Sequence, residues 1–500
     1  MAAANDRTPV LVGAGQITHR EPDAAVDAAE LMVRAARAAA DDAGGGRRLL
    51  AALDTIAIPN ILCWPYVNPA RLVAERLGVQ PPHEIYTAIG GNTPQMLIDT
   101  MATRIAAGEV RTALVAGVEA VRSVRRAVAG GAKIAWPRGD GTPERLGDGR
   151  DGGSDHERAH GLAMPVEIYP LFENAYRAAR GWTIAEHQAR LGALCARLAA
   201  TAAEHPQGWL RQAFSADAIV TPSAENRMVA FPYPKRMTAN IDVDQAAAVL
   251  LTSVAGARTL GIPEARWVYL HGAAEAHDVW LVSERDDLAR SPAIAACTRA
   301  ALAMAGLEPS RIEAFDLYSC FPCAVEIAAR ELGLADDDPR PLSVTGGLPY
   351  FGGPGNDYSL HGIATMMDRL RARPGAFGMV TALGWYMTKH AVGVYGTDRP
   401  PAPWGGAACD STQREADRVP AVPLATAPHG PGTVETYTIV YRRDGACERG
   451  TVLGRLEDGR RFVARLPDDR TLLDALTRSE GVGLRGQVRT ENGVGRFEPG

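Results

Sequence analysis

The sequence predicts an α/β fold whose parallel sheet is covered by helices on both faces, followed by a small β-barrel. Three observations carry this. Apolar strands alternate with amphipathic or Ala-rich helices along residues 8–398, the pattern of parallel pairing through crossover helices. The element order helix, strand, helix, strand with a glycine pair, helix, strand occurs twice, around Gly90-Gly91 and around Gly346-Gly347. The tail, Thr433 to Phe497, consists of short alternating strands (TVETYTIVYRR, GTVLGRL, RRFVARL, VGLRGQVR) joined at DG and NG pairs, the signature of hairpin turns.

In chain order, Pro9–Ile17 reads as a strand entering a glycine turn and Ala24–Ala43 as an Ala-rich helix. A strand over Leu53–Ile58 precedes a helix over Pro69–Leu77, which Gly78 terminates. Glu84–Ile89 is a strand, Gly90-Gly91 a tight turn, Asn92–Ala107 a buried helix and Thr112–Gly117 the next strand. A glycine pair lets a ligand approach the backbone, and the following helix aims its free N–H groups at the turn. Between Arg122 and Asn226 the character changes to a loop without periodicity (Gly139–Ser154) and helices over Val166–Ala179 and Ile184–Ala203, a helical insertion. Sheet and helix resume over Arg227–Gly261. The second half has a strand from Trp267 to Gly272, helices over Ser291–Ala305, Pro322–Leu332 and Tyr358–Leu370, and strands over Ile312–Leu317, Leu342–Val344, Phe377–Ala382 and Ala391–Tyr395. Pro400–Pro431 has the composition of a linker, and a helix over Asp469–Thr477 interrupts the β-rich tail. The domain reading is therefore 1–121 with 227–266, an insertion at 122–226, a second half at 267–399, a linker at 400–431 and a barrel at 432–500.

Composition narrows the function classes. A net charge of −5 with mixed signs gives no reason to expect a nucleic-acid or membrane partner, and no apolar run approaches the roughly 20 residues of a membrane span. The start, MAAANDRTPVLVGAG, lacks the basic and apolar regions of a signal peptide. Seven scattered cysteines argue for a reducing, cytoplasmic setting, and the lone Cys320-x-x-Cys323 pair for buried thiols rather than zinc; no metal is expected. Val12–Gln16 (VGAGQ) carries only part of a dinucleotide fingerprint.

The stretch Glu84–Ala120, with Gly108 and the strand ending Gly117-Val118-Glu119, resembles the thiolase superfamily, as do DQAAAVLLTS from Asp244 and Tyr318-Ser319-Cys320-Phe321. The resemblance implies a thiolase fold of five α-β-α-β-α layers, with the insertion as its loop domain. It also implies a coenzyme A ester as ligand with nothing bound covalently, and a homodimer through Glu84–Ile89 and its neighbouring helix. The extra β domain resembles the thiolase-like proteins of type 1. Carried over residue by residue, the nucleophilic cysteine's place falls on Gly91, the activating histidine's on Gly353 and the second cysteine's on Ala382. Tyr318 stands where the family has an oxyanion-orienting Asn or His.

Catalytic candidates are thus Tyr318, Cys320, His361 as a replacement base, and His390. Gly91, Asn92, Gly353 and Lys389 are candidates for holding the ester, and Arg122, Arg125 and Arg126 for meeting a nucleotide phosphate. Two functions remain open: an acetyl-CoA acetyltransferase-like acyl transfer by a rebuilt site, or non-catalytic binding of a CoA ester or of a partner protein through the barrel.

Overall fold

The computed structural model describes residues 6–23 and 25–500. Ala24, where the sequence starts its first helix, and residues 1–5 of the leader reading lie outside them. The strands are β1 (Pro9–Thr18), β2 (Thr55–Ile58), β3 (His83–Thr87), β4 (Thr112–Ala120), β5 (Glu144–Leu146), β6 (Met228–Phe231), β7 (Tyr233–Pro234), β8 (Asp244–Ser253), β9 (Tyr269–His277), β10 (Ile312–Asp316), β11 (Phe377–Gly384), β12 (Lys389–Gly396), β13 (Gly430–Tyr441), β14 (Cys447–Leu456), β15 (Arg461–Arg465), β16 (Arg485–Glu491) and β17 (Val494–Pro499).

Two sheets, ordered β1-β8-β4-β2-β3-β5 and β10-β11-β12-β9, sandwich two central helices, Thr93–Ala107 and Tyr358–Arg371. Both helices pack against strands of both sheets. Further helices cover the outer faces, Ala28–Asp42 and Pro69–Leu77 on one side and Pro292–Ala305 on the other. The result is the five-layered thiolase architecture. The sheets are mixed rather than parallel: in the first, β8 returns from the insertion and slots antiparallel between β1 and β4, and in the second β12 lies antiparallel between β11 and β9. Helix Ala28–Asp42 is capped by Asp27, whose carboxylate accepts from Glu30 N at 2.8 Å. It lies so close to β1 that a Cβ on Gly13 or Gly15 would stand 2.1–2.2 Å from the Ala39 or Ala35 carbonyl. The glycines of VGAGQ thus serve helix packing.

Leu342–Val344 is not a strand. Asp316, fully buried at the end of β10, takes up the hydrogen-bonding groups of this segment: its Oδ2 accepts from Ser343 Oγ (2.9 Å), Val344 N (3.0 Å), Thr345 N (3.1 Å) and Thr345 Oγ1 (3.1 Å). Asp316→Ala would strand those donors in the interior, and a loss of about 2–4 kcal/mol is expected. Denaturant unfolding measures it; a loss below about 1 kcal/mol would contradict this account.

The stretch read as a linker is docked. Ala408 bridges to Ala274, residues Asp410–Ala416 form a helix, and Ala425 N donates to Arg461 O at 2.8 Å. The barrel closes in the order β13-β14-β15-β17-β16-β13, with a parallel β15–β17 pair and helix Arg470–Leu476 between its third and fourth strands, the arrangement of an OB fold. It is seated on the insertion. β13 pairs with β6, Asn174 Nδ2 donates to Tyr437 O (3.0 Å), and the buried Arg177 meets Glu480 at 2.5 Å.

The edge of β3, on which a second copy was expected, is occupied by the chain itself: Ile85, Tyr86 and Thr87 pair with Glu144, Arg145 and Leu146 of β5. Among the described residues no helix is long and apolar enough to cross a membrane.

Candidate functional site

The turn between β3 and helix Thr93–Ala107 is built by close approach. Gly90 N donates to Asn356 Oδ1 (3.0 Å), while Asn356 Nδ2 donates to Asn60 O (2.8 Å), so one side chain ties this turn to the loop after β2. Gly91 O accepts from Ser359 Oγ at 3.0 Å. A Cβ on Gly91 would lie 2.4 Å from the Tyr318 hydroxyl oxygen and 2.5 Å from Leu383 O. The space of a nucleophilic side chain is therefore filled by Tyr318. At Gly353 there is no such conflict: the nearest atom to a Cβ is Asn240 O at 3.3 Å. Gly353 N already donates to that oxygen at 2.8 Å.

Tyr318 is 7% exposed, and its ring meets Tyr358 edge-on at 5.4 Å. Burial, with Cys320 beside it, raises its phenol pKa, so it stays a hydrogen-bond donor at neutral pH. Cys320 lies in the same apolar cluster, and burial pushes its thiol up to about 12. A thiol so protonated is a poor nucleophile. Iodoacetamide is expected to label Cys320 in the native protein at least about 100-fold more slowly than in the unfolded chain, followed by peptide mass mapping. Rapid labelling blocked by acetyl-CoA would refute this.

Lys389 opens β12 beside the turn, with Nζ donating to Ile89 O (2.5 Å) and Asp148 O (3.2 Å). Burial, with Arg150 nearby, lowers its pKa to about 8 against the pull of Asp148. Asn92 wedges its side chain into the same spot: its Oδ1 would be 2.4 Å from a Cβ on either Gly90 or Gly384, and that buried oxygen has no hydrogen-bond partner. The structure thus gathers Gly91, Asn92, Tyr318 and Lys389 around one turn, while Cys320 is packed in the apolar cluster behind Tyr318.

The two histidines lie elsewhere. His361 Nδ1 pairs with Gln16 Oε1 of β1 at 2.8 Å and its ring packs on Phe351. Burial, then His205, lowers its pKa to about 3. It is a neutral packed residue on the β1 side of its helix and does not face the turn. His390 is one residue past Lys389, and strand alternation sends it to the opposite face. There its Nε2 lies 3.1 Å from Met387 O and 3.3 Å from both Ser291 Oγ and Asp278 Oδ2, at the start of helix Pro292–Ala305.

A groove of about 930 Å³ opens beside the loop that holds Asn240. Its walls carry Arg122, Arg125, Arg227, Lys235, Arg236 and Arg443 against Glu225 and Asp242, with Trp209 and Phe214 as aromatic surfaces. Arg122 and Arg125 share Asp242 (3.6 and 3.7 Å), and Arg122 lies over Trp209 at 5.4 Å. Arg126 is not among the lining residues. The groove wall is tied through the backbone to the segments of Cys320 and Gly353: Ala239 N donates to Cys320 O (3.0 Å) and Asn240 O accepts from Gly353 N (2.8 Å). Sequence reasoning missed Arg227, Lys235 and Arg236. The cluster RMVAFPYPKRM is visible, yet only the fold brings it to Arg122 and Arg443.

A family model described as the thiolase-like protein type 1 additional C-terminal domain matches residues 411–493. No curated protein matches the sequence. The crystal structure of a monomeric SCP2-thiolase like protein type 1 from Mycobacterium smegmatis is similar over 99% of both chains, with 36% identity and a TM-score of 0.86. A structure titled Ltp2-ChsH2(DUF35) aldolase matches 79% of this chain and 99% of its own, at 18% identity and a TM-score of 0.61. The acetyl-CoA acetyltransferase from Syntrophomonas wolfei matches 78% and 99%, at 18% identity and a TM-score of 0.55. At that identity the last two share the fold alone.

Proposed function

The chain belongs to the SCP2-thiolase-like proteins of type 1, and from that premise we propose that it binds a coenzyme A ester without forming an acyl-enzyme. The observation that carries the first part is the basic, aromatic groove beside Asn240: clustered guanidinium and ammonium groups suit phosphates, and Arg122 over Trp209 sets a cation beside an aromatic ring. The second part rests on Tyr318 filling the space at Gly91 and on the protonated state of Cys320. The Tyr318 O–H is a donor beside the turn, suited to an ester carbonyl or a developing oxyanion. A second reading, direct acyl transfer to an acceptor, is favoured by Lys389, whose pKa of about 8 keeps a fraction of its amine neutral near physiological pH. With β3 capped by β5, and the Mycobacterium smegmatis relative titled monomeric, the chain is proposed to act as a monomer. The barrel, seated on the insertion, is proposed to present the surface for any partner protein.

Mass spectrometry after incubation with acetyl-CoA and a longer acyl-CoA tests this. The ester should be retained in the native spectrum and lost on denaturation. An adduct surviving denaturation would overturn the non-covalent reading and map the nucleophile; absence of retention would overturn the ligand.

A further inference from the structure

Outside the turn and the groove, one cluster of ligating side chains joins the insertion to the second half. Glu173 lies on helix Pro165–Ala179, His187 on helix Ile184–Glu204 and Glu326 on helix Pro322–Glu331. One ligand atom from each lies within 4.8 Å of the other two. His187 Nε2 is 2.6 Å from Glu173 Oε1. Glu173 and His187 are 0% and 1% exposed, whereas Glu326 is partly accessible and lines a crevice of about 180 Å³.

We propose that Glu173, His187 and Glu326 bind a divalent transition-metal ion of the zinc class, with the remaining coordination position facing the crevice that Glu326 lines. Four observations support it. The donor set, two carboxylate oxygens and one imidazole nitrogen, suits such an ion, and three protein ligands leave the fourth position open. Two carboxylates and a neutral imidazole match a doubly charged ion, so the loaded site is neutral, as a buried site must nearly be. Glu326 Oε2 is buried with no hydrogen-bond partner, so that oxygen is left over to ligate an ion. Finally, the ligands have outer support. The Tyr233 hydroxyl donates to Glu173 Oε2 at 2.7 Å and lies 3.3 Å from Cys323 Sγ, while Trp182 stacks on His187 at 5.6 Å. Cysteine spacing could not point here, because none of the ligands is a cysteine and Glu326 comes from a helix far along the chain from the other two. The ion would pin the insertion to the second half, one turn of helix from Cys323.

The test uses the tag-free full chain, stripped with chelator and titrated with Zn²⁺ by calorimetry and with Co²⁺ by visible absorption. One saturating equivalent, with ligand-field bands for Co²⁺ and a raised thermal midpoint for Zn²⁺, is expected. Glu326→Gln, which keeps the side-chain shape, should weaken binding more than about 100-fold, and Tyr233→Phe by about 10- to 100-fold. His187→Gln should abolish the Co²⁺ bands; if that variant does not fold by circular dichroism, Glu326→Gln decides. No saturable binding by the wild type, or binding untouched by Glu326→Gln, would overturn the site.

Discussion

Gly91→Ala is expected to destabilise the protein by about 1–3 kcal/mol, the range of overpacking in a close-packed interior. The new methyl group would meet the Tyr318 hydroxyl oxygen at 2.4 Å and Leu383 O at 2.5 Å. Neither can retreat easily: Leu383 is held in β11 opposite His390, and the Tyr318 ring is wedged against Tyr358. Restoring a thiol by Gly91→Cys carries the same penalty and should yield no acyl-enzyme. Two controls make the result specific. Gly353→Ala, whose nearest contact would be 3.3 Å, should cost less than about 1 kcal/mol. In a Tyr318→Phe background, where one of the two collisions is removed, the Gly91→Ala cost should shrink by about 1 kcal/mol. Denaturant midpoints of the wild type, the three single variants Gly91→Ala, Gly353→Ala and Tyr318→Phe, and the double variant measure all of this. Equal stability of wild type and Gly91→Ala would mean that Tyr318 does not fill the vacated position.

The second large effect is on ligand binding. Reversing two charges of the groove, Arg125→Glu with Lys235→Glu, is expected to weaken CoA binding by about 30- to 100-fold while leaving the thermal midpoint nearly unchanged. Arg125 is more than half exposed and Lys235 is exposed, so neither supports the core. Each contributes to a field that an anionic ligand meets in water, and such fields are screened by salt. Wild-type affinity should therefore fall as ionic strength rises, and the variant should show a shallower dependence. Calorimetric titration with CoA at two salt concentrations reads both. Unchanged affinity in the variant would remove the groove from the ligand's path.

These two sites differ in how far the sequence could show them. The strand, glycine pair and helix of residues 84–107 were legible because their residues are consecutive, and local propensity and burial agree there. The barrel was legible for a similar reason. Asn492 and Gly493 both adopt positive φ, as the NG pair between alternating strands implies. What failed were readings that depend on a direction in space. His361 and His390 stand near the right elements in the sequence, but helix phase and strand alternation turn them away from the turn. The segment Leu342–Val344 has an apolar strand's composition, and Leu342 O does accept from Leu317 N, yet the buried carboxylate of Asp316 takes the N–H groups of Val344 and Thr345. The groove was half legible: Arg122 and Arg125 are adjacent to the insertion's start, whereas Arg443 reaches the same wall from the barrel. No spacing rule connects residues so distant.

The seating of the barrel on the insertion has a consequence for how the chain comes into being on the ribosome. His160 O accepts from Thr451 Oγ1 across 291 residues of sequence, and His160 Nε2 accepts from Gly495 N across 335. The helical insertion emerges early in synthesis, but its covering surface is made of residues translated after both halves of the layered frame. Until the tail leaves the exit tunnel, the apolar flank of helix Pro165–Ala179 has no partner, and contacts of such long separation form slowly. The nascent chain must therefore pass through an interval in which the layered frame can close while the insertion stays uncovered, a window in which chaperones and proteases compete for it.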